Sequence, residues 1–174
     1  ADRARWEWIQ AQGAIPIRPA ELDRAHAIVA ALQASPEARK LLRGGRKERT
    51  IVQPRQPKLL PLKGRLDVHH EARRQVVELK TTYSLQAVET AMERYRHPLS
   101  AAFYADISRS LAVHFVFVQT REPLDVAVIS LAPAQLRDGR EQWQTALARF
   151  DQCWTANEWP EAEPTEEDAD GEEN

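Results

Sequence analysis

Cysteine is almost missing from this 174-residue sequence, where Cys153 stands alone. One thiol cannot close an internal disulfide, and it excludes zinc or iron–sulfur centres built from several cysteines. The expected setting is a reducing cytoplasm, with Cys153 a small packing residue. Long apolar runs are missing as well. No stretch approaches the roughly 20 residues that a membrane-spanning helix needs, and no basic-then-apolar leader opens the chain. Lys and Arg are absent from residues 155–174, which hold nine acids. A tail so acidic and so poor in apolar side chains is expected to stay disordered.

What remains is ordinary for a soluble globular protein, at 43% hydrophobic and 29% charged residues. The expectation is one domain over 1–154 and an acidic tail over 155–174. Setting the tail aside leaves 17 acids against 24 Lys and Arg. A basic body suits a phosphate-rich partner, although a solvated surface accounts for the same charge.

Helical signals come first along the chain. Trp6 to Gln12 reads as a short helix, and Gly13 to Pro19 breaks it. Pro19 then opens a helix carrying Leu22, Ala25, Ile28, Val29 and Leu32 at helical spacing. Ser35-Pro36-Glu37 is a new cap and first turn, and Gly44-Gly45 closes that helix. Strand signals follow at Glu48 to Gln53, Leu62 to His70 and Gln75 to Thr82. A helix over Tyr83 to Arg96 is interrupted at Pro98 and followed by another over Leu99 to Ser110. Ala112 to Thr120 and Asp125 to Leu131 form a predicted hairpin, and an amphipathic helix runs from Ala132 to about Trp154. This order predicts an α/β domain with a mixed sheet.

Chemistry concentrates in two neighbouring strands. In the second, alternation sets Leu62, Leu66 and Val68 on one face and Lys63, Arg65, Asp67 and His69 on the other. In the third, Glu78 and Lys80 share a face that Val77 and Leu79 avoid. Asp67 comes to lie opposite Glu78 if the turn at 71–74 pairs the strands. Two converging carboxylates make a hard-oxygen site suited to Mg²⁺ or Mn²⁺, and the Leu79 backbone carbonyl could complete the shell. Such a metal would polarise a phosphate and acidify a bound water, while Lys80 positions the attacking water. Cross-strand surface ion pairs would produce the same pattern.

The pattern as a whole resembles the core of the PD-(D/E)xK nuclease superfamily, and within it the RecE-like (exonuclease VIII) branch of phage-type exonucleases. The residues that carry the resemblance are Lys63-Gly64-Arg65-Leu66-Asp67, Val77-Glu78-Leu79-Lys80-Thr81-Thr82 and Ala101-Ala102-Phe103-Tyr104. Phe115-Val116-Phe117-Val118 and the late Gly139-Arg140 add to it, over roughly residues 15–155. The resemblance implies a restriction-endonuclease-like core, a central mixed β-sheet flanked by helices. It implies metal-dependent hydrolysis of DNA phosphodiesters with Asp67, Glu78 and Lys80 as the centre. For this branch it further implies 5′→3′ degradation of linear duplex DNA from its ends, a single-strand annealing protein as partner and a ring-shaped homo-oligomer.

Two departures from that family stand out. A glutamine usually precedes Ala-Ala-Phe-Tyr, where this chain has Ser100, which could reach the site through water. A further acidic or histidine residue from an upstream helical region is expected to precede the chain's start, with Glu37 or Glu48 as stand-ins. Both departures keep open a second reading, a catalytically weak or inactive nuclease fold that binds DNA or protein.

Arg65 could hold a phosphate or form a surface ion pair. His69, His70 and His97 could contact a nucleic-acid backbone, or His69 and His70 could be solvent-exposed residues at a strand end. Tyr95, Phe103 and Tyr104 fit a helix core better than a base-stacking platform. The basic run Arg43 to Arg49 could track phosphates or be a solvated loop. Trp143 and Trp154 read as packing, and Trp6, Trp8 and Trp159 as candidate oligomer contacts.

Overall fold

The computed structural model of the chain describes residues 2–13 and 17–160. The acidic stretch from residue 161, most of the expected tail, lies outside the described residues. Three helices open the chain: α1 (Asp2–Ala11), α2 (Pro19–Ala34) and α3 (Pro36–Leu42). Proline sits in the first turn of α2 and α3, where no N–H is needed. Glu21 accepts the N–H of Arg18 ahead of α2 at 2.9 Å, and Ser35 caps α3 by accepting from the Ala38 N–H.

Strands β1 (Arg46–Gln53), β2 (Leu62–His70) and β3 (Gln75–Thr82) follow, then a 3₁₀ turn (Leu85–Ala87), α4 (Val88–Arg94) and α5 (His97–Ser108). The chain closes with β4 (Ala112–Gln119), β5 (Val126–Ser130) and α6 (Pro133–Ala156). The five strands lie in sequence order, antiparallel except for the parallel β3–β4 pair. A parallel pair needs a crossover, and α4 and α5 supply it.

The sheet is covered on both faces. Leu66, Val76, Phe115 and Phe117 pack with Ala101, Ala102 and Ala105 of α5, Val88 and Met92 of α4, and Leu136 of α6. Val68, Val77, Val116 and Val118 pack on the other face with Leu32 of α2 and Ala38 of α3. Phe and Val alternate along β4 because successive side chains point to opposite faces. The alanines of α5 let that helix lie close on the sheet. Gly139 does the same between helices: a Cβ there would strike the Pro98 carbonyl at the start of α5. Arg140 and Trp143 of α6 then bond Asp106 of α5. Among the described residues no helix is long and apolar enough to cross a membrane.

Three expectations need correction. The predicted helix over 83–96 is a 3₁₀ turn followed by a seven-residue helix ending at Arg94. Tyr95 caps it and is 65% exposed rather than packed. Pro98 does not interrupt a helix; it lies in the first turn of α5, and the break falls at Arg96, whose φ is +48°. The third correction concerns the faces of β2. Leu66 joins the α5 side and Val68 the α2–α3 side, so alternation breaks at Asp67. His69 and His70, with solvent exposure offered as one reading, are both buried.

Candidate active site

The break at Asp67 coincides with a fork in the sheet. The β2–β3 ladder runs through His70–Gln75, His69–Val76 and Val68–Val77, and stops there. The next opposed pair would be Asp67 and Glu78. Beyond it β2 stays paired with β1 as far as Gln53–Leu62, and β3 stays paired with β4 as far as Thr82–Gln119. The two strands therefore separate, each held by its outer neighbour.

Where the ladder stops, carboxylates take the place of carbonyls. Asp67 Oδ2 accepts the Leu79 N–H at 2.8 Å. Glu78 Oε1 accepts the Asp67 N–H at a longer 3.4 Å. Each acid is thus tied to the strand opposite its own, and the pair is fixed across the mouth of the fork. Lys80 Nζ donates to Glu78 Oε2 at 3.2 Å. Glu78 is 3% exposed, so it carries its charge out of water with only two long contacts. Burial, and then the neighbouring charge of Asp67, push its carboxyl above the usual range, with Lys80 opposing.

This donor set fits a hard divalent cation. A cation between the two acids would relieve both causes that raise the Glu78 carboxyl. Among the described residues no cluster of three or more His, Cys, Asp or Glu forms a metal-type group. Two carboxylates alone match Mg²⁺ or Mn²⁺, which keep several waters and take remaining ligands from substrate, better than a closed zinc cage. Leu79 lies between Glu78 and Lys80 in sequence, with its N–H held by Asp67.

Helix α5 roofs this region. Tyr104 is half-buried, and burial followed by the charge of Glu78 raises its phenol above the ordinary value. The ring also lies against Gly64, where a Cβ would come within 3.2 Å of it. His97 packs on Phe115 at 5.2 Å and is held neutral by burial and by the charge of Lys80. From sequence Tyr104 fits a helix core better than a base-stacking platform, and the structure adds its place near Glu78. The signal available was its spacing, one turn beyond Ser100 and two beyond His97.

The remaining candidates sit elsewhere. The Ser100 hydroxyl donates to the His97 carbonyl at 3.0 Å, within its own helix. Arg65 pairs with Glu48 at 2.8 Å, both well exposed. His69 accepts from Arg49 at 2.8 Å through Nδ1 and faces Ser110 through Nε2, so neither ring nitrogen is turned to the fork. His70 donates to the Leu41 carbonyl of α3. Glu37 lies in the first turn of α3.

Two clefts open on β3 from opposite faces. One, about 810 Å³, lies between α2, α3 and the sheet, with Asp67 and Leu79 in its wall beside Arg39, Arg43 and Lys47. None of these three cations forms an ion pair with another described residue. The other, about 480 Å³, lies under α4 and opens on Lys80.

A family model described as a PDDEXK-like domain of unknown function (DUF3799) matches residues 9–167. A chain from Eubacterium rectale, provisionally named an exonuclease, superposes with a TM-score of 0.63 at 14% identity. That superposition covers 88% of this chain and 66% of the other. A phage-related exonuclease from Haemophilus somnus superposes with a TM-score of 0.50 at 11% identity, over 86% of this chain and 79% of the other. At such identities the likeness is one of fold. The chain spans just under two thirds of the first and about four fifths of the second. No curated protein matches the chain by sequence.

Proposed function

Since the chain belongs to the family of PDDEXK-like domains named DUF3799, we propose that it is a metal-dependent deoxyribonuclease acting as an exonuclease on linear duplex DNA. The single observation that carries this reading is the exchange of carboxylates for ladder carbonyls at Asp67 and Glu78, with Lys80 on the same carboxylate. A surface ion pair would not put Glu78 out of water or end the ladder between two strands.

The residues divide the work. Asp67, Glu78 and the Leu79 carbonyl would hold Mg²⁺ or Mn²⁺, which when bound polarises the scissile phosphate and lowers the pKa of a coordinated water. Lys80 orients the attacking water and stabilises charge building on the phosphate oxygens. Its partner Glu78 fixes the amine where that charge develops. Arg39, Arg43 and Lys47 line the approach to Asp67 and supply cations for the phosphate backbone. Arg65, His69 and Ser100 have no direct part in this scheme, because each spends its polar atoms on another partner. The direction 5′→3′, a role in phage-type recombination or DNA-end processing, an annealing protein as partner, and a homo-oligomer rest on the family resemblance. The division into a domain over 1–154 and an acidic tail is part of the same proposal.

The test is digestion of end-labelled linear duplex with Mg²⁺ or Mn²⁺, comparing 5′-phosphate with 5′-hydroxyl ends and using closed circular duplex as control. Release of nucleotides from linear DNA alone is expected. Asp67→Ala should lower the rate by about 10³-fold, the order of removing several kcal/mol of transition-state stabilisation. The position of Ser100 favours the rival reading of a binding fold without cleavage. DNA that binds wild type but stays whole with every metal would establish that rival.

A further inference from the structure

The scheme above uses Lys80 but gives no role to the cleft beside it. This cleft, about 480 Å³, has Tyr83 and Tyr95 in its walls, with Lys80, Thr82 and His97 among its polar lining. The two tyrosines come from different elements, one just after β3 and one at the end of α4. They are 62% and 65% exposed. Helical spacing from Val88 and Met92 would carry Tyr95 toward the core, but α4 stops at Arg94 and leaves the ring in the cleft wall.

Both rings are braced by flat or charged neighbours. The Arg121 guanidinium lies 3.9 Å over the Tyr83 ring. Arg94 lies 5.9 Å from the Tyr95 ring, and the His97 ring stands at 5.9 Å on another side. Tyrosine offers a large rigid surface with few torsions to freeze on binding. Aromatic rings, hydrogen-bonding groups and the Lys80 amine in one lining together suit a flat heteroaromatic ring attached to a phosphate. The cleft on the opposite face offers Arg39, Arg43 and Lys47 but no aromatic ring. One side of the fork is therefore equipped for backbone and the other for a base.

From this arrangement we infer that the cleft between Tyr83 and Tyr95 is a nucleobase-binding site, holding one unpaired base of the nucleotide next to the scissile phosphate. The inference rests on the nuclease reading, since Lys80 joins the cleft to the carboxylates. Its consequence is that a terminal base leaves the duplex stack before cleavage. Ends that are mismatched or frayed are then cut faster than paired ends, because the cost of unpairing is already met.

The experiment measures binding of a short fluorescein-labelled single-stranded oligonucleotide by anisotropy, with EDTA present and one abasic position walked along the strand. One abasic position is expected to weaken wild type by about five- to one-hundred-fold, the usual range for loss of one stacked base. Tyr83→Ala and Tyr95→Ala should each weaken the intact oligonucleotide by a similar factor, and the abasic position should then cost these variants nothing further. Tyr83→Trp and Tyr95→Trp should retain the wild-type profile. Exposed side chains are replaced throughout, so an unchanged melting temperature verifies folding. Alanine variants that bind as wild type does, or that keep the abasic penalty, overturn the inference. If those variants also cut linear DNA normally, the nuclease reading stands and only the base site falls. A wild type that neither binds nor cuts DNA overturns both.

Discussion

Asp106 on α5 and Glu78 on β3 beneath it are both carboxylates drawn away from water, yet they are supplied differently. Asp106 receives Arg140 on both oxygens, at 2.6 to 3.0 Å, and the Trp143 indole N–H at 3.2 Å. Glu78 is more deeply buried and has only contacts of 3.2 and 3.4 Å. The first carboxylate is saturated by the fold and joins α5 to α6. The second has acceptor capacity that the fold leaves unused, and a like charge from Asp67 beside it. Stability accounts for the first arrangement, and the cation proposed at this site would account for the second.

Exchanging the two sites is the strongest way to break this contrast. Glu78→Ala should abolish cleavage, by about 10³-fold or more, while leaving the melting temperature unchanged or higher. Asp106→Ala should do the reverse. It should cost about 1–3 kcal/mol in urea unfolding, discounted because Arg140 is partly exposed, and leave activity per folded molecule near wild type. A Glu78→Ala protein that unfolds, or a folded Asp106→Ala protein that is inactive, would erase the distinction.

Gly139→Ala sharpens it from the packing side. The added methyl strikes backbone at Pro98 rather than a flexible side chain, so α6 must move from the start of α5. The expected loss is about 1–3 kcal/mol, read as a lower melting temperature. Some loss of cleavage should accompany it, because α5 carries His97 and Tyr104 over the fork.

The smallest effect is on pH dependence, where the two kinds of buried group oppose each other. His69, His97 and His114 are all held neutral, first by burial. Their contribution to stability is complete above the unfolded histidine value of about 6.5 and is lost as pH falls below it. His69→Gln should flatten that acid slope in pH-dependent melting. Glu78 has the opposite sign, because its raised carboxyl makes the folded protein hold a proton more readily. The cost of its charge is full where the folded carboxyl is ionised and disappears as acid protonates it. The stability gained by Glu78→Gln should therefore shrink on acidification, and an unchanging gain would contradict the burial of charge.

Much of this was legible in the chain. Pro19 and Pro36 marked helix starts because ring closure removes an N–H that a first turn does not use. Gly44-Gly45 marked the end of α3. The turn at 71–74 allowed only an antiparallel β2–β3 pair, and period-two spacing put Glu78 and Lys80 on one face. Other features were out of reach. His69 and His70 were open to reading as exposed because they end a strand, but the neighbours that bury them, Ser110 and Leu41, lie 41 and 29 residues away. Tyr95 followed helical spacing into a helix that had already ended.

Local spacing by itself determined which elements form, which acids lie on adjoining strands and which lysine accompanies them, since propensity and periodicity act within a few residues. The fork at Asp67 was decided only by tertiary structure. Strand alternation continues until a partner is lost, and β2 loses β3 because β1 and β4 hold the two strands apart. That separation takes residues 46 to 119, and it turns a pair of acids into an opening with a buried charge at its edge.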